Sequence, residues 1–184
     1  MIPVAVQFDS PSPTSDQVLK RRIVETFATY NYCVTLAEIP LRRMNGHLVS
    51  STKEHAVHLL GAISRGTVDI ASHGFSHGRH PMGPHGQPSD FTGLVSPALL
   101  EVIRRGLLCL TQLFGDKIYG FVPRWNSLDR GTLDALDSAR IRYLSGAWKA
   151  PLALRADVGL LHLTFTCLPS RLRSAKPARP GHCH

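Results

Sequence analysis

"TVDIASHGFSH", residues 67–77, decides how this chain of 184 residues is read. Its first half is a short apolar run of strand character. Its second half carries His73 and His77 four residues apart, and His80 follows three later. If the chain turns helical after His73, side chains at i and i+4 share a face and both imidazoles reach one ion. Neutral imidazole suits zinc, iron, cobalt or nickel, and two histidines with an oxygen ligand leave positions open for water and substrate. The alternative is a pair of surface or capping histidines beside a Gly-rich loop. His80 precedes Pro81, which disfavours helix there.

Outward from this stretch, strands and helices alternate. Before it stands "SSTKEHAVHLLGAISRG" (50–66), a helix with Ser51 and Glu54 in capping-box spacing and Gly66 at its end. Earlier come "IPVAVQFD" (2–9), a strand ending in an acid, and a helix over 15–31 with Ser15 as N-cap and Val18, Arg22 and Glu25 at helical spacing. "YCVTLAEIP" (32–40) is a second strand stopped by Pro40. A long loop rich in Gly, Pro and His covers roughly 74–95, and loops of that length in a small domain tend to be functional. Ser96 and Pro97 open the next helix. "IYGFVPRW" (118–125), a helix over 129–140, "IRYLSGA" (141–147) and "GLLHLTF" (159–165) complete the alternation. Strand–helix repetition predicts a parallel sheet and an α/β class. In such sheets chemistry gathers at the C-terminal strand ends. Three polar stretches fall there: Asp9–Ser10, His73–His77 and Arg124–Asn126.

Composition bounds the rest. The length suits one domain, and 43% hydrophobic residues describe an ordinary globular chain with no run of about 18 apolar residues to span a membrane. The formal charge of +8 is scattered over Lys20, Arg21, Arg22, Arg42, Arg43, Arg104, Arg105 and the C-terminal segment, without interleaved aromatics. Arg42 and Arg43 are read as loop residues. That pattern is a solvated surface and argues against a nucleic-acid partner. Four cysteines form no CxxC pair; Cys33 and Cys109 read as buried small hydrophobes, and the N-terminus has no signal-peptide pattern. A cytoplasmic protein is expected. Residues 1–168 form the expected domain, and "PSRLRSAKPARPGHCH" (169–184) reads as a disordered basic tail.

"QFDSP", "HGFSH" and "FVPRW", in that order and each at a strand end, resemble the TFDDG, H-[ST]-x-x-H and R-x-P-[YF] motifs of the polysaccharide deacetylases. This is carbohydrate esterase family 4, the NodB-homology family, and the resemblance covers roughly residues 2–165. It implies a partial or distorted (β/α) barrel and a metal-dependent hydrolase that removes N- or O-acetyl groups from a carbohydrate. By position, it implies Asp9 as the general base, His73 and His77 as ligands of a divalent metal, usually zinc, and Trp125 as donor of a main-chain N–H to the oxyanion. Pro123, Arg124 and Trp125 would line the substrate. Four departures stand out. Ser10 occupies the place of the second Asp, the third metal ligand; Gly74 replaces Ser or Thr; and Val122 replaces the Arg that pairs with the base, with Arg124 two residues on as its substitute. The later acidic and LxH motifs have no counterpart in form, His162 included. These losses imply a divergent, truncated copy with a weakened metal site, or an inactive glycan-binding member of the same fold.

Overall fold

Val34 and Leu36 are fully buried on one face of a strand, and Ala37 is fully buried on the other. That alternation sets the architecture. In a computed structural model of the chain, residues 6–76, 89–91, 94, 96–146 and 161–164 are described. The main elements are β1 (Val6–Asp9), α1 (Gln17–Thr29), β2 (Val34–Glu38), β3 (Leu41–Met44), β4 (His47–Ser50), α2 (Lys53–Ser64) and β5 (Val68–Ser72). Then follow α3 (Ser96–Phe114), β6 (Gly120–Phe121), α4 (Arg130–Ser138), β7 (Tyr143–Gly146) and β8 (Leu161–Thr164). The expected tail, His77, His80 and most of the 74–95 loop lie outside the described residues. No helix among the described residues is long and apolar enough to cross a membrane.

Six strands form one parallel sheet in the order β1-β2-β5-β6-β7-β8. The order never reverses. Right-handed crossovers then put every helix on the same face, and the sheet curls its other face inward as a partial (β/α) barrel. The helix-facing side carries two cores. Val34, Leu36, Val68 and Ile70 pack with Val24 of α1, Leu59 of α2 and Leu110 of α3. Phe121 and Leu144 pack with Leu99 and Ile103 of α3, Leu133 and Leu136 of α4, and Phe91. Each buried Leu contributes roughly 1.5–3 kcal/mol.

The inward face is built from small residues, Ala37, Ala71 and Val122, with Tyr143 against them. The Tyr143 ring lies across Gly120, where a Cβ would come within 2.1 Å of Tyr143 Cζ. Its hydroxyl donates to Asp69, which faces inward from the layer below. Gly120→Ala is expected to lower the melting temperature by about 4–8 °C, since overpacking costs roughly 2 kcal/mol in a domain of this size. Thermal unfolding followed by circular dichroism checks this, and an unchanged midpoint would show that Tyr143 moves aside freely.

Several local expectations are corrected. Asp16, not Ser15, caps α1, its carboxylate accepting from the Val18 and Leu19 N–H groups at 2.9 and 3.0 Å. Val18 is exposed, and the buried residues of α1 are Lys20 and Val24. The capping box of α2 starts one residue later, at Thr52, with His55 Nδ1 accepting from the Thr52 N–H. Arg42 and Arg43 are not in a loop: β3 and β4 form an antiparallel hairpin closed by Asn45 and Gly46, at φ 50° and 84°. These are the dihedrals of a type I′ turn. Cys33 is exposed and Cys109 only half-buried. β6 keeps two residues of the expected eight, and beyond it Pro123 has no N–H with which to extend the ladder.

Candidate functional site

Asp9, Ala37, Ala71 and Gly120 share one register level across the sheet. Asp9 ends β1; His73 and Val122 stand two residues beyond that level on their own strands. The C-terminal edge thus brings Asp9, His73 and the 122–125 segment together. His77 lies outside the described residues.

His73 is 5% exposed. Its N–H bonds the Glu38 carbonyl at 2.9 Å, and its ring Nδ1 lies 2.8 Å from the Val122 carbonyl oxygen. A carbonyl only accepts, so Nδ1 carries the proton and Nε2 keeps its lone pair. Burial pushes the His73 pKa down; Asp9 and the Val122 carbonyl oppose this, and Arg124 adds to it. The ring is therefore a neutral imidazole with a fixed tautomer, the form in which histidine binds a divalent ion. Asp9 is exposed at its strand end and accepts from the Gln7 side-chain amide, two residues back on the same face. An unprotonated imidazole nitrogen is a donor that fits such an ion, and the negative charge of Asp9, felt at His73, favours a cation there. Among the described residues, no three His, Cys, Asp or Glu side chains gather as a metal site.

The backbone departs from the usual at three positions here. Ser10 has φ 67° and Trp125 has φ 51°, both left-handed, and Gly74 has φ 96°. A bulky residue in that region is an outlier, and such strain collects at functional sites. Gly74 explains one departure in the motif, since Ser or Thr is disfavoured at its φ. A Cβ there would also meet Phe91 at 3.4 Å and Asp90 at 3.6 Å. Behind it, Gly106 of α3 lets the helix approach so closely that a Cβ would lie 3.1 Å from the Gly74 carbonyl oxygen.

Pro123 and Arg124 are buried, and Trp125 is 43% exposed. Arg124 lies 3.9 Å from the Trp125 ring centroid and covers one face of the indole. Its guanidinium pairs with Asp90 at 2.5 Å, both side chains 4% exposed. The substitution of Arg124 for the base-pairing Arg is thereby corrected: among the described residues its carboxylate partner is Asp90, not Asp9. Asp90 was missed in the sequence, although it is the sole acid in the 74–95 loop. Its neighbour Phe91 is anchored in the core 5.6 Å from Phe121, which carries Asp90 to the site.

No family model matches the chain, and no curated protein matches it either. Solved structures do. The BpsB deacetylase domain from Bordetella bronchiseptica superposes with a TM-score of 0.61 at 16% identity, over 88% of this chain and 70% of that one. IcaB from Ammonifex degensii gives 0.63 at 14% identity, over 88% and 66%. A family 4 acetyl xylan esterase from Clostridium thermocellum, solved in complex with a cobalt ion, gives 0.53 at 13% identity, over 82% and 65%. The chain spans about two thirds of the length of these proteins. It has the polysaccharide deacetylase fold, in partial form.

Proposed function

We propose that this chain, built on the polysaccharide deacetylase fold, is a metal-dependent hydrolase that releases acetate from an acetylated carbohydrate. The observation that carries the reading is the tautomer of His73: a buried neutral imidazole with Nδ1 donating to Val122 and the Nε2 lone pair left open, at the strand-end edge it shares with Asp9. His73 and His77 would hold a divalent ion, zinc by family resemblance, with Ser10 in the third position. When bound, such an ion polarises the acetyl carbonyl and lowers the pKa of water. Asp9 takes the proton from the attacking water, held in place by the Gln7 amide. The Trp125 main-chain N–H donates to the developing oxyanion. One indole face is covered by Arg124, and the other is left for the flat face of a sugar.

Ser10 is the weak point, and it makes the reading testable. A hydroxyl is a poorer ligand than a carboxylate, while its left-handed backbone is one that Asp tolerates well. Elemental analysis after zinc loading is expected to find about one equivalent in the wild type and almost none in His73→Ala/His77→Ala. Ser10→Asp is expected to bind about 10–100-fold more tightly in a chelator competition. Absence of metal from both wild type and Ser10→Asp would refute the hydrolase. It would favour a glycan-binding member of the fold, a reading that the missing carboxylate at Ser10 already supports.

A further inference from the structure

The β3–β4 hairpin is joined to the site. Leu41 bridges in parallel to Ser76, three residues past His73, so the hairpin stands at the rim of the strand ends. The next residue, Arg42, is half-buried, and its charge bears on the Arg124 guanidinium. Burial draws the Arg124 pKa down, Asp90 opposes this and Arg42 adds to it, yet a guanidinium stays charged throughout the working range. Both cations belong to the rim of strand ends, Arg42 on the hairpin that Leu41 ties to Ser76 and Arg124 just past β6. Among the described residues they have one partner carboxylate between them, Asp90, and Arg124 holds it. The Arg42 side chain makes no hydrogen bond or ion pair among those residues, while that of Arg43 beside it turns away to the Gly46 carbonyl at 3.0 Å.

Like charges brought together and partly withdrawn from water raise each other's energy, and an anion placed between or beside them relieves it. A guanidinium presents a planar fork that matches a carboxylate bidentately. We propose that Arg42 recognises a carboxylate on the bound saccharide, so that the substrate is an acidic, acetylated glycan of the uronate class rather than a neutral one. The inference rests on reading this edge as a carbohydrate site. It assigns Arg42 as a specificity residue: Trp125 meets the sugar ring, and Arg42 reads the charge on it. The hairpin, absent from the expected loop, is the device that delivers Arg42 there.

The test is a titration of the full chain, by calorimetry or amide chemical shifts, with three ligands of equal length: an acetylated uronate oligosaccharide, an acetylated neutral xylo-oligosaccharide and a phosphorylated sugar oligomer. The uronate oligomer is expected to bind about tenfold more tightly than the neutral one. That advantage should vanish in Arg42→Gln and persist in Arg43→Gln, with neutral binding unchanged in both. Equal affinities in the wild type, an advantage that survives Arg42→Gln, or no binding of any ligand at millimolar concentration would each overturn the proposal. Preference for the phosphorylated oligomer over the uronate would overturn the carboxylate assignment. Acetate release measured on the same samples separates the two readings. Charge preference without release sinks the hydrolase and leaves Arg42 in its role, whereas release without charge preference does the reverse.

Discussion

Asp9→Ala is expected to lower the turnover of an acetylated oligosaccharide by about 10²–10⁴-fold, the range that a positioned general base contributes. Metal content should stay at the wild-type level, because the ligands inferred for the ion are His73, His77 and Ser10, and Asp9 is not among them. Asp9 ends β1 with an exposed carboxylate whose partner is the Gln7 amide, so its removal leaves no buried charge behind and little structural cost. Steady-state acetate release, with metal content determined on the same preparation, reads both quantities. Full activity in Asp9→Ala would remove Asp9 from the chemistry. Loss of metal together with activity would instead make it a ligand.

The second large effect is on stability, and it lies behind the sheet. Lys20 of α1 and Glu38 at the end of β2 form an ion pair with side chains 4% and 2% exposed. Breaking a buried pair by removing one partner costs about 3–5 kcal/mol, because it strands the other charge. Lys20→Met should therefore lower the melting temperature by roughly 6–20 °C at pH 7. The pH dependence has a definite sign. Burial raises the Glu38 pKa above its ordinary value, and Lys20 opposes that rise. A carboxyl with a raised folded pKa contributes stability that is full below its unfolded value and lost as pH climbs through the folded one. Without Lys20 the folded value climbs further, so the deficit of the variant should be large at neutral pH and shrink as the solution is brought toward about pH 4. Thermal melts at the two pH values check this. Equal deficits at both would mean that Lys20 acts through the packing of its stem alone. Lys20→Met/Glu38→Leu should recover most of the loss.

What the sequence disclosed and what it withheld divide along the range of the interactions. The β–α alternation, the polar residues at strand ends and the left-handed close of α2 at Gly66, φ 73°, are local patterns, and all were legible. The Asn45–Gly46 turn is equally local and its residue pair is a strong hairpin signal, but the flanking LRRM and HLVS are short and lack the apolar alternation that marks a strand. Lys20 looked like solvated surface because periodicity cannot distinguish an exposed lysine from one paired inside. The Arg124–Asp90 pair joins residues 34 apart through a loop with no repeating pattern, so no spacing rule reaches it. Gln7 was visible as the residue two before Asp9, but its contact with the carboxylate follows from both side chains facing inward on one strand. A left-handed backbone at Ser10 and Trp125 has no signature in residue type, since neither is a residue that usually adopts it.

The unreversed strand order also sets a timetable for assembly on the ribosome. Each strand of the main sheet docks beside the one already in place, so no later segment must be inserted between two earlier ones. At roughly 5–20 residues per second, making a strand or helix takes far longer than folding it. The helical units can therefore settle one after another as they emerge. The polar edge waits for later chain: Asp9 and His73 are joined by the segment through Trp125 on the order of 3–10 s after His73 is made. During that interval β5 presents an uncovered flank, and the nascent chain is most exposed to pairing with the wrong partner just before β6 arrives.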